Sequence, residues 1–273
     1  MNPRVIVRYA GLTLILLYCL APFYWMAASA FRRPSDQFSL SPFPSPPAFT
    51  NFVAVFGPDV GFGRSLLNSI VVAGVATILT LIVGLSAAYA LARLKFRFKT
   101  AVAVIIIATS MCPGISLVVP LLKLFTDISW INTYQAMILP SMSFALPLAV
   151  WNLNAFFRQM PGELEEAALI DGCTRMQAFR KIILPLAAPG VFTTAIITFI
   201  AAWNEFIIAL SMVNDKSMQT ATVAISRFTG AYGFDQPFGT QMAAGVIVTV
   251  PLVILVLVFQ RRIIAGLTAG GVK

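Results

Sequence analysis

Few side chains in this sequence can do covalent or acid–base chemistry. Its 273 residues include no histidine, which excludes a His-based triad, a His proton relay and a His-ligated metal. The three cysteines, Cys19, Cys112 and Cys173, lie far apart and two fall in apolar runs. Neither a disulfide framework nor a zinc site is expected from them. No G-x-x-x-x-G-K-[ST] loop occurs, so the chain is not expected to hydrolyse nucleotide on its own. The reading assigns no catalytic residue, no metal ligand and no cofactor bound by this chain. Two places remain where polar groups could act: an acid-rich stretch that begins at Met160, and a lone carboxylate, Glu205, inside an apolar run.

The first stretch runs from Met160 to Pro185. Pro161 suits a first helical turn, and Glu163, Glu165 and Glu166 fall where the positive end of a helix dipole favours carboxylates. Ala167 and Ala168 are small enough to let a helix approach another surface closely, and Gly172 can end that helix in a left-handed cap. A second short helix is predicted from Thr174 to Ile183, with Met176, Phe179, Ile182 and Ile183 at helical spacing on one apolar face. Two readings follow: a solvated hairpin that merely joins its neighbours, or a plug for a partner's groove. An amphipathic helix–Gly–helix with small residues at its turn favours the plug.

Glu205 is expensive to bury in a membrane unless paired or hydrated. Counted from Pro189 it stands roughly 24 Å up a predicted span, in the outer half. It marks either a functional polar group toward the outer end of the span, or an interfacial carboxylate that reaches water or ties two helices. Asn152, Asn154 and Asn204 could hydrogen-bond a polar solute or bridge helices. Trp151 and Trp203 could stack on a ring of a bound solute or anchor at an interface. Pro113 and Pro120, and Pro140 and Pro147, are pairs seven apart, so each pair nearly shares one helical face and frees carbonyls there, as kinks beside a cavity or as ordinary packing irregularity.

The elements that must hold these residues follow from composition. Hydrophobic residues make up 59% and charged residues only 11%, against about 25% charged in a soluble domain. That excludes an ordinary soluble enzyme and a disordered chain. Six apolar runs can each cross a hydrocarbon core of about 30 Å: 9–31, 65–92, 100–122, 135–157, 189–213 and 239–260. The fold class read from them is an all-α integral membrane protein with six transmembrane helices in the lipid bilayer. Thirteen of the nineteen basic residues fall in the termini and alternate loops, and six in the others. The positive-inside rule then places both termini in the cytoplasm. The net charge of +9 needs no nucleic acid to explain it.

Arg4 and Arg8 precede an apolar stretch ending in Ala28-Ser29-Ala30, a pattern that resembles a signal peptide. The stretch is too long for a signal core and carries Phe23, Tyr24 and Trp25, so it is read as a retained first span. The proline-rich 41–47 that follows is predicted to be extended. The division expected is 1–64 (first span and external loop), 65–260 (core, with a cytoplasmic loop 158–188) and 261–273 (cytoplasmic tail).

A resemblance sharpens this reading. Glu166-Ala167-Ala168, three residues, Gly172, nine residues, Ile182, one residue, Leu184-Pro185 is similar to the EAA motif of ABC transporter permeases that serve importers. The ending, with Gly266-Leu267-Thr268-Ala269-Gly270-Gly271-Val272-Lys273, resembles that of the maltose-type second permease. So do Asn68-Ser69, Trp203-Asn204-Glu205 and Gln241-Met242-Ala243-Ala244-Gly245, so that most of 65–273 is covered. Phe144 to Leu148 and Ala178 to Lys181 look most like the trehalose importer permeases of actinobacteria.

The resemblance implies a type I ABC importer permease fold in the bacterial inner membrane and a role in sugar transport. It also implies a heteromeric complex: a second homologous permease subunit, two copies of a cytoplasmic ATP-binding subunit carrying ATP and Mg, and an extracytoplasmic solute-binding protein. Glu166, Ala167, Ala168, Asp171, Gly172, Ile182, Leu184 and Pro185 would then couple to the ATPase. Gly266, Leu267, Thr268, Gly270 and Gly271 would reach toward the ATPase dimer. Asn152, Asn154, Trp203, Asn204 and Glu205 are the candidates for the carbohydrate path, Glu205 at its external end or at the binding-protein contact. Trehalose or a similar disaccharide is the expected substrate, with glycerol phosphate, amino sugars or maltodextrins as alternatives. From outside the class come an ion-gradient-driven secondary transporter, for which Glu205 is the sole acid inside a span, and a membrane enzyme, for which no residues are found.

Overall fold

The computed structural model describes residues 3–57, 61–228 and 237–269. Among them no strand occurs. The helices are α1 Pro3–Ala30, α2 Thr50–Val55, α3 Phe62–Arg93, α4 Lys99–Ser110, α5 Val118–Asp127, α6 Tyr134–Gln159 and α7 Glu163–Ile170. They continue as α8 Arg175–Ala178, α9 Leu184–Leu186, α10 Ala188–Trp203, α11 Ile207–Met212, α12 Ala221–Ser226 and α13 Phe238–Ala269.

Among the described residues four stretches are long and apolar enough to cross a bilayer, Val7–Ala30, Phe62–Arg93, Tyr134–Gln159 and Phe238–Gln260, matching four of the six expected spans. The other two are broken, and six spans result when each bent pair counts as one. The run 100–122 is interrupted: Lys99–Ser110 and Gly114–Asp127 meet at 90°. Pro113 lies at the break with an extended ψ of 118°; it has no N–H to donate and disfavours a helical Cys112. Pro120 falls in the first turn of α5, where a missing N–H leaves no bond unmade. Pro140 and Pro147 both sit inside unbroken α6. The run 189–213 divides into α10 and α11, and α10 is bent by 75° from Arg175–Leu186. Its 16 residues rise about 24 Å, short of the roughly 30 Å core.

The chain separates into two compact units, one of Met1–Leu66 with Ala221–Pro251 and the other of Leu67–Thr220 with Leu252–Lys273. In the first, the chain after α1 folds back on the carbonyls that end it. Ala48 donates its N–H to Phe31 O at 2.8 Å, and Asn51 Nδ2 donates to Ala30 O at 2.9 Å and Arg32 O at 2.8 Å. Arg32 is buried, lies 4.5 Å over the Trp25 ring and donates to Ser41 O. The 41–47 segment is non-helical, as its prolines predict.

In the second unit, α3, α6 and the chain from Ile183 to Ala187 share a core of Ala88, Leu91, Val150, Leu153, Phe157 and Ile183. Gly190 of α10 faces the Phe156 ring of α6 so closely that a Cβ would run into it. Phe125, Ala136, Ile208 and Met212 gather α5, α6 and α11. Polar ties complete this part: Asn68 Nδ2 donates to Ser217 O at 3.0 Å and Gln219 O at 2.9 Å. The Tyr134 hydroxyl donates to Asn68 Oδ1 at 2.7 Å.

Candidate functional site

The stretch after α6 folds as two capped helical pieces. The Gly162 carbonyl accepts the Glu165 and Glu166 N–H groups at 3.0 and 3.2 Å and starts α7. Glu163, Glu165 and Glu166 occupy its first turn, where the dipole favours them. At its end Gly172 adopts φ +86°. Cys173 N–H donates to Ala168 O at 2.9 Å and Gly172 N–H to Leu169 O at 3.1 Å, which is the Schellman pairing. The left-handed glycine cap read from the sequence is therefore present. Thr174 and Gln177 then form a reciprocal capping box that starts α8.

Beyond α8 the structure departs from the expected helix Thr174–Ile183. Phe179–Ile183 form a π turn before α9. A π turn closes i to i+5, so residues at ordinary helical spacing no longer share one face. Ile183 is buried, whereas Met176 is exposed, and the four expected apolar positions do not form a single face.

Glu165 and Ala168 point into the unit; Glu165 is only 6% exposed. The Tyr89 hydroxyl, from α3, donates to Glu165 Oε1 at 2.7 Å. Arg175 Nη1 lies 3.7 Å from the same oxygen. One turn along α3, Arg93 Nη2 donates to Met160 O at 2.7 Å. The Tyr89 ring packs at 4.5 Å against Phe179 and edge-on at 6.0 Å against Phe157. A cleft of about 760 Å³ adjoins, lined among others by Lys95, Gly162, Glu166 and Leu169. Glu166, Ala167, Asp171 and Gly172 face outward with Ile170, which is 86% exposed, while Ile182 and Leu184 are half-buried and Pro185 is exposed. Sequence reasoning missed Tyr89, Arg93 and the inward role of Glu165. A tyrosine and an arginine four residues apart near the end of an apolar run are the one hint the sequence carries.

Gly266, Leu267 and Thr268 continue the backbone of α13, whereas Gly270 and Gly271 lie outside the described residues. The candidate path residues are not brought together. Asn154 and Trp151 line a cavity of about 210 Å³ with Arg158, whose Nε donates to Asn154 Oδ1 at 3.1 Å. Asn152 is half-buried. Glu205 lines a separate cavity of about 140 Å³ between α6 and α10. Trp203 is buried and stacks on Phe199 at 5.6 Å, and Asn204 Nδ2 donates back to Ile200 O at 3.0 Å.

Glu205 lies not in a helix but in the break between α10 and α11. Its two carboxylate oxygens accept the N–H groups of Ile208 at 2.7 Å and Ala209 at 3.0 Å. It satisfies donors that a starting helix otherwise leaves orphaned, and so caps α11. Glu205→Ala is expected to lower stability by about 1–2 kcal/mol, the scale of a lost helix cap. Glu205→Gln, which keeps an acceptor, is expected to lose less. Thermal inactivation of the purified protein in detergent ranks the two.

Apolar helices of bilayer length with broken spans between them, and a folded polar loop set against the ends of two of those helices, fit a multi-pass membrane protein. The chain belongs to the family of binding-protein-dependent transport system inner membrane components, whose model matches residues 80–268. It is 43% identical over 261 residues to a trehalose transport system permease protein of Mycobacterium tuberculosis, covering 96% of this chain and 95% of that one. It is 41% identical over 270 residues to a trehalose/maltose transport system permease protein of Thermococcus litoralis, covering 98% and 96%. Among solved structures, a chain of a bacterial ABC transporter that imports the acidic polysaccharide alginate superposes with a TM-score of 0.82 at 18% identity, covering 95% and 96%. The fold is that of a type I importer permease, all-α and embedded in the bacterial inner membrane.

Proposed function

We propose that this chain is one permease subunit of an ATP-driven importer for trehalose or a similar disaccharide. The observation that carries the substrate is the identity above 40%, along nearly the whole chain, to two permeases named for trehalose. The importer comprises this subunit, a second homologous permease, two cytoplasmic ATP-binding subunits and an external solute-binding protein. ATP and Mg reside on the ATP-binding subunits, so this chain performs no covalent chemistry and binds no cofactor. Both termini lie in the cytoplasm, as the basic loops indicate.

Coupling is assigned to the loop 158–188, and its exposed face supports the assignment. Ile170 and Met176 are solvent-exposed apolar side chains on a folded, doubly capped element, the form of a helix that fills a partner's groove. Closure of the ATPase dimer on ATP then moves α7 and shifts the pore between its inward-facing and outward-facing states. Gly266 to Gly271 reach toward the same ATPase, and Asn152, Asn154, Trp203, Asn204 and Glu205 contribute to the solute path.

Uptake of labelled trehalose by a strain deleted for this gene, with and without the gene restored, tests the reading. Loss on deletion and recovery on restoration are expected. Unchanged uptake removes trehalose, and maltodextrins, amino sugars and glycerol phosphate are then tried in turn.

A further inference from the structure

The coupling loop is joined covalently to α6 and α10, yet its one buried carboxylate is held by a different helix. Tyr89 and Arg93 stand one turn apart on α3 and share a face. They grip the loop on both sides of the start of α7, at Glu165 Oε1 and at Met160 O. The partners are 76 and 67 residues apart in the chain, so neither bond is a by-product of local folding. The cleft along Lys95, Gly162, Glu166 and Leu169 leaves open space beside this junction. Room to move on one side and a directional hydrogen bond on the other are what a pivot requires. A buried carboxylate is poor material for stability alone, since an apolar residue of like size generally serves as well.

We propose that Tyr89 and Glu165, supported by Arg93 and Arg175, are positioning residues that form the joint carrying movement of α7 into α3. This rests on the reading that α7 docks on an ATPase. Through the joint, displacement of the loop reaches a span not adjacent to it in sequence, so α3 moves together with α6 and α10. The aromatic packing of Tyr89 with Phe179 and Phe157 holds the ring, and the hydroxyl supplies the directional link.

The test uses the complete importer reconstituted in liposomes, with labelled trehalose taken up and ATP hydrolysed measured together. Tyr89→Phe removes the hydroxyl and keeps the ring. It is expected to lower trehalose imported per ATP by about tenfold, the scale of a hydrogen bond to a buried charge, with assembly and ATP hydrolysis retained. Glu165→Gln keeps an acceptor and is expected to retain most of the coupling. Glu165→Leu is expected to match Tyr89→Phe, with the double variant no worse than either. A wild-type ratio in Tyr89→Phe overturns the joint, as does a loss of uptake that only follows a loss of assembled complex. Ile170→Asp separates the two ideas: if it leaves the ATPase bound, the docking reading fails. If it releases the ATPase while Tyr89→Phe stays fully coupled, only the joint fails.

Discussion

Gly172→Val is expected to abolish uptake while leaving the chain in the membrane. Gly172 holds φ +86°, where a β-branched side chain is a genuine outlier and the left-handed conformation costs about 1–2 kcal/mol for a residue with a Cβ. Space is not the obstacle, because a Cβ built there meets no atom within 4 Å. The strain falls on the Schellman bonds to Ala168 O and Leu169 O. Relieving it unwinds the last turn of α7 and displaces Ile170 and Asp171 from the docking face. Gly172→Asn is the control, since asparagine tolerates this conformation, and it should retain most uptake. Uptake assays beside immunodetection in membrane fractions decide the matter, and normal uptake by Gly172→Val counts heavily against a coupling role.

Ile170→Asp should release the ATPase without harming the permease. Ile170 is among the most exposed large apolar side chains described, so its replacement disturbs no internal packing and should leave folding within about 0.5 kcal/mol. If it fills a partner's groove, a charge there removes an apolar anchor and strands a carboxylate at the contact. Losing such an anchor costs about 2 kcal/mol or more, roughly thirtyfold in affinity. Capture of the ATP-binding subunit on the tagged permease checks this, with Gly172→Asn carried alongside. Retention at the wild-type level would overturn docking through α7.

Some of the candidate site was legible because its signals are local. The acids that begin α7, the glycine that caps it and Thr174 at the start of the next helix act within five residues of themselves, so residue type and spacing suffice to read them. The π turn Phe179–Ile183 was not legible, since nothing in its composition distinguishes it from the α-helix that its spacing suggests. Glu205 shows a further limit. Hydropathy placed it inside a continuous span, because a window average passes over a three-residue break, while its carboxylate in fact restarts the helix after that break.

By itself the sequence determined the all-α membrane class, six apolar spans without the breaks in two of them, the proline-rich segment and the capped loop, and its motifs pointed to the permease family. These follow from composition and from interactions between near neighbours. Tertiary structure alone decided which side of α7 is buried, that Tyr89 donates to Glu165, and that Asn154 and Glu205 line different cavities. Each of those depends on where residues tens of positions apart come to rest, and side-chain periodicity carries no information about the partner that a face will meet.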